Sequence, residues 1–221
     1  MIKRPILVLG FAAALFSAAG FSIAASGHSP AAAVNPANWE IGPVIRGENY
    51  SHGTPPSPSA VRGGGFGFTI PRDPGSVHYV TFPHGPLTGK TRISLRYRID
   101  AEAGVEIKPI TAPQLPSILT LYFQRGGDDW SGRGAREAYR WYATFASVMP
   151  LTAGEHTVSA PLDGNWTAVE RSSARNNPRA FAGAKAQAER VGFVLGGGDG
   201  YGHGVFATGK ARLVVLDFKV E

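Results

Sequence analysis

Between Thr91 and Asp100 apolar and polar side chains alternate, with Ile93, Leu95, Tyr97 and Ile99 on one face and Arg92, Ser94, Arg96 and Arg98 on the other. A repeat of two marks a strand with one side buried and the other in water. Shorter β-prone runs punctuated by glycine and proline lie on both sides of it, at 65–70, 77–82, 104–110, 117–124, 138–143, 156–162, 191–195 and 211–220. Together they predict about nine strands. One run breaks the pattern: Pro178 to Arg190 is alanine-rich and predicts a short helix. Strands at this spacing with a single helix predict an all-β fold, a two-sheet antiparallel β-sandwich of the jelly-roll kind. The 29 glycines and 17 prolines fit a chain of many turns.

The hydropathy of the first residues is different. Lys3 and Arg4 precede an apolar run from Pro5 to Ala24, followed by the small residues Ala25, Ser26 and Gly27. This order predicts a secretory signal over 1–26, removed on export. An uncleaved anchor is the alternative that the length allows. Small residues and prolines over 27–38 predict a flexible tether, and the sandwich is expected over 39–221. The protein is then expected to be secreted or periplasmic, with no stable membrane insertion after cleavage. The chain has no cysteine, so the sandwich must hold without disulfides.

Charge adds little. Without Lys3 and Arg4 the chain has 20 basic residues against 16 acidic, a net of +4. The arginines are scattered, which argues against a nucleic-acid partner. Arg92, Arg96 and Arg98 form a basic stripe that would suit an acidic polymer, or simply the solvated outer face of a strand. Two phosphate-loop look-alikes, Gly204 to Lys210 and Gly85 to Lys90, run into strands where a phosphate site needs a helix N-terminus. No histidine pairing of metal type appears.

Two stretches carry candidate chemistry. Gln124 to Arg133 places an amide, guanidiniums, two carboxylates and an indole on one loop after a strand. Sugar recognition uses this mixture: an aromatic face against the C–H face of a pyranose, and planar polar groups for neighbouring hydroxyls. In Tyr139–Tyr142 the alternation puts Arg140 and Tyr142 on one face and Tyr139 and Trp141 on the other. Leu121 and Phe123 point inward, which sends Tyr122 and Gln124 outward beside them if the two strands are neighbours. The second stretch, Gly196 to Gly204, has six glycines, and its larger residues are Asp199, Tyr201 and His203. The candidate ligand-binding set is therefore Tyr122, Gln124, Arg125, Asp128, Asp129, Trp130, Arg140 and Tyr142, closed over by Asp199, Tyr201 and His203. No catalytic or metal-ligating residue is assigned. A core role for the aromatics, with Asp128–Arg133 as a solvated loop, is the plainer reading of the same residues.

The order of a short helix, Val191-Gly-Phe-Val-Leu195, a glycine-rich loop and the closing strand 213–220 resembles the end of galactose-binding-like jelly rolls in carbohydrate-binding modules. The block Leu121–Arg125, Asp128–Trp130 and Tyr139–Tyr142 resembles secreted bacterial proteins of that type. The resemblance covers about Thr91 to Glu221 and implies a non-catalytic carbohydrate-binding role. It also implies a structural calcium, for which no Asp/Asn cluster stands at matching positions, so no cofactor is assigned. Two other roles are open: a polysaccharide lyase or hydrolase, with Tyr or His as base, and an envelope domain that meets other proteins.

Overall fold

A computed structural model describes residues 34–145, 149–197 and 201–221. Four short strands, β1 (Glu40–Gly42), β2 (Val44–Ile45), β3 (Glu48–Asn49) and β4 (Ser59–Ala60), lead into β5 (Phe66–Ile70) and β6 (Tyr79–Pro83). Next come β7 (Arg92–Ala101), β8 (Ile107–Pro109), β9 (Ser117–Arg125) and β10 (Arg140–Tyr142). Beyond them lie β11 (Met149–Pro150), β12 (Gly154–Pro161) and β13 (Thr167–Ala168). Helix α1 (Pro178–Ala186) and strands β14 (Ala188–Gly197), β15 (Val205–Ala207) and β16 (Ala211–Val220) complete the chain. The expected signal over 1–26 lies outside the described residues. Pro36–Asn38, at the end of the expected tether, form a 3-10 turn capped by the Asn35 side chain.

The larger sheet has the order β1-β6-β14-β9-β10-β13, with β11 also on β9, and the smaller one β12-β7-β16-β5-β4. Strands β5, β6, β7, β9, β12, β14 and β16 fall in alternate sheets, while β10 adjoins β9 in the larger one. Successive strands that cross between two antiparallel sheets make a jelly-roll winding. The fold is thus the expected antiparallel sandwich with one short helix among the described residues. The helix is shorter than its alanine-rich run. Ala188 and Arg190 already pair with Arg125 and Gln124 of β9, so the ladder takes the last residues that propensity alone assigns to helix.

The core lies where alternation puts it. Ile93, Leu95, Tyr97 and Ile99 of β7 are buried, as are Leu119, Leu121 and Phe123 of β9 and Val191, Phe193 and Leu195 of β14. Trp39 closes one end, its ring centroid 4.7 Å from Phe66, 4.6 Å from Phe82 and 5.2 Å from Phe218. On the outer face of β7 two of the three stripe arginines are paired: Arg96 with Glu155 at 2.8 Å and Arg98 with Asp100 at 2.7 Å. Arg92 donates to Ser159. The stripe is the solvated face of a strand.

Gly192 stands between β6 and β9 in the middle of the larger sheet. A Cβ there would fall 2.1 Å from the Val80 carbonyl oxygen, against backbone that cannot move without opening the ladder. Gly192→Ala is expected to destabilise the protein by about 2 kcal/mol or more, read as a fall in the urea midpoint at unchanged slope. A stability loss no larger than that of a surface substitution would contradict this packing.

Candidate functional site

The outward-pointing residues of the larger sheet do not meet water as a plain strand face would. Tyr122 and Tyr142 stand opposite each other across β9 and β10, and Gln124 stands opposite Arg140. This is the neighbour relation that the alternation requires. Tyr79 of β6 and Val194 of β14 join them, and Trp130, Val169 and Tyr201 pack on top. The result is a second aromatic cluster on the far side of the sheet from the core. Tyr122 is fully buried and Tyr142 is 2% exposed, so the expected open platform is roofed over. The roof consists of the turn after β9, the residues after β13 and the glycine-rich loop.

A polar chain runs underneath. The Tyr122 hydroxyl donates to Gln124 Oε1 at 3.1 Å, and Gln124 Nε2 donates to Asp128 Oδ2 at 3.0 Å. Asp128 Oδ1 accepts the Trp130 N–H at 3.0 Å, and Arg140 Nη2 donates to the Trp130 carbonyl at 3.1 Å. Arg140 Nε lies 2.9 Å from Asp128 Oδ2, with the Asp128 side chain fully buried and that of Arg140 8% exposed. The Nε–H is not aimed along that line, so the contact is an ion pair and not a hydrogen bond. The guanidinium also sits over the Trp130 ring, 5.0 Å from its centroid. The Tyr79 and Tyr142 hydroxyls bond to each other at 2.8 Å.

Burial sets the electrostatics. It pushes the Tyr79, Tyr122 and Tyr142 phenols above their ordinary pKa, so all three stay protonated. Burial also raises the Asp128 carboxyl against the opposing pull of Arg140 and the Trp130 N–H. For Arg140 burial acts downward, but the surrounding tyrosines and Asp128 outweigh it and its pKa is raised.

Above this layer is a cavity of about 200 Å³ lined by Tyr79, Arg140, Tyr142, Val169, Arg171, Tyr201 and His203. Tyr201 lies 5.6 Å from the Tyr142 ring, tilted by 31°. The loop that brings Tyr201 and His203 here needs its glycines. Gly202 and Gly204 have φ of 72° and 92°. A Cβ would meet the Tyr79 ring at 2.7 Å and the His78 ring at 2.6 Å. His78 holds the loop through Nδ1–H, which donates to the Gly202 carbonyl at 3.1 Å, while Nε2 meets Ser76 Oγ at 3.0 Å. These partners suit a neutral imidazole protonated on Nδ1.

The expected site residues thus divide. Arg140, Tyr142, Tyr201 and His203 line the cavity, and Tyr122, Gln124, Asp128 and Trp130 form the layer that supports it. Two point elsewhere. Arg125 donates to Gln187 Oε1 and covers the Tyr139 ring, and Asp129 is exposed, bonded to Ser131 and 3.3 Å from Arg136. Arg125, at the end of β9, alternates away from Gln124, and Asp129 is held in its own turn by bonds to Ser131. Asp199 lies outside the described residues. The sequence reading missed Tyr79, Arg171 and His78. Tyr79 was legible, since it alternates with the inward Val80 in a β-prone run. Arg171 was not, because it follows a two-residue strand with no pattern of its own.

Among the described residues no group of three or more His, Cys, Asp or Glu converges as a metal site, so no position is assigned to the calcium. No helix among them is long and apolar enough to cross a membrane. No protein-family model matches the chain, and no curated protein matches it.

His78 supplies a pH test of the latch. Burial lowers its pKa below the usual 6.5, helped by the nearby His203 and His52. The unfolded chain then takes up the proton first, so the stability from neutral His78 is present above the ordinary histidine pKa and is lost progressively as pH falls from there through the lowered folded-state pKa. Wild type is expected to lose more stability between about pH 7.5 and about pH 5.5 than His78→Asn does. Identical losses in denaturant titrations of the two proteins would contradict the latch.

Proposed function

We propose that the protein binds a carbohydrate in the cavity beneath Tyr201 and His203, after export, and releases it unchanged. The observation that carries this reading is the second aromatic cluster. Four tyrosines, an indole and a buried guanidinium are gathered on the outer face of a sheet whose own core is already complete. They form a second buried cluster, separate from the main core. A cavity of about 200 Å³ is close to the size of one sugar ring, small beside the ~300–1,000 Å³ typical of ligand pockets. Aromatic walls suit the C–H face of such a ring, and phenols and guanidiniums suit its hydroxyls. The resemblance to galactose-binding-like jelly rolls agrees with this role.

Binding without turnover is supported by the phenols. A lyase would need a tyrosinate or a histidine base; burial holds Tyr79, Tyr122 and Tyr142 protonated at neutral pH, which leaves His203 in the wall as the base that the activity screen tests. A hydrolase would need two carboxylates facing the bond, and the described cavity wall presents none.

A glycan array together with a search for reducing ends or unsaturated products tests the proposal. The expected outcome is binding without products. Tyr201→Ala, which removes a half-exposed wall, is expected to weaken the binding about tenfold, the order of 1–2 kcal/mol for one stacking ring, with the circular dichroism unchanged. Turnover of any glycan, or silence in both assays, would overturn it.

A further inference from the structure

Three histidines from separate parts of the chain meet at the loop that walls the cavity. His78 immediately precedes β6, His52 follows β3, and His203 is in the loop itself. The His78 ring lies against Gly204, and its Nδ1–H reaches the Gly202 carbonyl, so His203 stands between the two glycines that touch His78. On the other side the His78 backbone N–H donates to Ser51 Oγ at 3.0 Å, and the His52 carbonyl accepts the Ser76 N–H at 2.8 Å. Gly204 is anchored to the sheets, its N–H donating to the Leu195 carbonyl and its carbonyl accepting from Ile110. Among the described residues, the bond from His78 is the one hydrogen bond that reaches Tyr201, Gly202 or His203. Tyr201 and His203 are the residues that this loop gives to the cavity wall.

A proton on His78 upsets this arrangement. In the neutral ring Nε2 accepts the hydrogen of the Ser76 hydroxyl. Once protonated, Nε2 becomes a donor and Ser76 Oγ must accept. The Ser76 hydrogen then has no other partner among the described residues, in a residue only 3% exposed. The new cation is also badly placed. The charges acting on it come from His203 and His52, and among the described residues no carboxylate offsets them. Tyr79, next in sequence and beneath Gly202, is a protonated phenol. Desolvation lowers the His78 pKa, with the two histidines adding to it, against the raising effect of the Gly202 bond. A conformer in which the loop lifts and water reaches His78 removes these costs, so acid favours it.

We infer that acidification unlatches Tyr201–His203 from His78 and opens the cavity, so that the protein holds its sugar near neutral pH and releases it in acid. The inference rests on the carbohydrate reading and adds its regulation. The sheet side of the cavity, with Tyr79, Arg140 and Tyr142, stays in place, because its residues belong to the ladder and to the buried layer beneath. What is lost is the loop side, where Tyr201 packs on Tyr142. Binding draws on the latched conformer, so affinity falls with the fraction of molecules that keep it.

The test is calorimetry with the methyl glycosides of galactose, glucose, mannose and xylose, which are uncharged throughout the range used. Wild type is expected to bind at least one of them about fivefold or more tighter near pH 7.5 than near pH 5. His78→Asn keeps a donor for Gly202 and cannot titrate, so its affinity is expected to stay within about twofold over the same range. Hydrogen exchange over 201–205 in the free protein, corrected for its intrinsic pH dependence, is expected to speed up in acid while the central strands stay protected. That measurement uses wild type alone, so it decides the latch even where the variant fails to fold. His203→Gln is expected to keep most of the fall in affinity. A fall that vanishes in His203→Gln and persists in His78→Asn would overturn the latch in favour of a titrating wall. A sugar bound equally at both pH values, with unchanged exchange, would overturn the inference and leave carbohydrate binding standing. If no glycoside binds at either pH, release and the carbohydrate reading fall together.

Discussion

A guanidinium and a carboxylate taken out of water on the outer face of a sheet constrain everything around them. The Asp128 side chain is fully buried and Arg140 nearly so. Each would be very costly alone, and together they are tolerable only if further hydrogen bonds complete them. Those bonds come from Gln124, the Trp130 N–H and the Trp130 carbonyl, which fixes the turn after β9 in one shape. The net balance at Asp128 is instructive. Its pKa is raised, so desolvation outweighs the attraction of Arg140. A carboxyl with a raised folded-state pKa costs stability above its unfolded pKa, and that cost is relieved as pH falls. Arg140 shifts the other way in effect, its charged form being favoured in the fold, so the cost falls on the Asp128 carboxylate and what the pair supplies is position.

The glycine-rich loop answers the same constraint from the other side. Once Tyr79, Tyr122 and Tyr142 are packed edge-on and tilted on the outer face, with centroids 5.1 and 5.3 Å apart along the row, their tops must be covered or solvated. Cover by a loop of ordinary residues would collide with the rings, since even a Cβ at Gly202 or Gly204 comes within 3 Å of Tyr79 or His78. Glycine lets backbone lie directly on the aromatics, and Tyr201 and His203 between the glycines are then held at the rim. The cavity is what remains between a sheet that cannot move and a loop that cannot come closer.

Much of this could be read from alternation. A period of two in β7 predicts its buried face residue by residue, and the same rule applied to Leu119–Gln124 and Tyr139–Tyr142 puts Tyr122, Gln124, Arg140 and Tyr142 on one surface. The carbohydrate assignment and the export signal draw on composition and resemblance, and they remain proposals. What alternation could not give was depth. Whether an outward residue meets water depends on loops folded over it from elsewhere, and loop paths leave no period in sequence. Hence Tyr122 is sealed, Arg125 turns to Gln187, and Arg171 arrives unannounced.

The two sets of arginines show why residue type alone misleads. Arg96 and Arg98 stand in a regular ladder, where a side chain two residues on, or diagonally across, points the same way and meets the charge. Asp100 and Glu155 occupy those places, and both guanidiniums are paired in water. Arg140 also has a carboxylate partner, but Asp128 reaches it from beneath, from a turn held by its own backbone bond to Trp130. The partner stabilises one edge of the guanidinium and leaves the cavity side to other groups. An exposed pair is solvated on all sides; in the buried pair one edge of the guanidinium meets Asp128 and another part lines the cavity. Geometry of approach, and not the count of basic residues, decides which arginines are available for recognition.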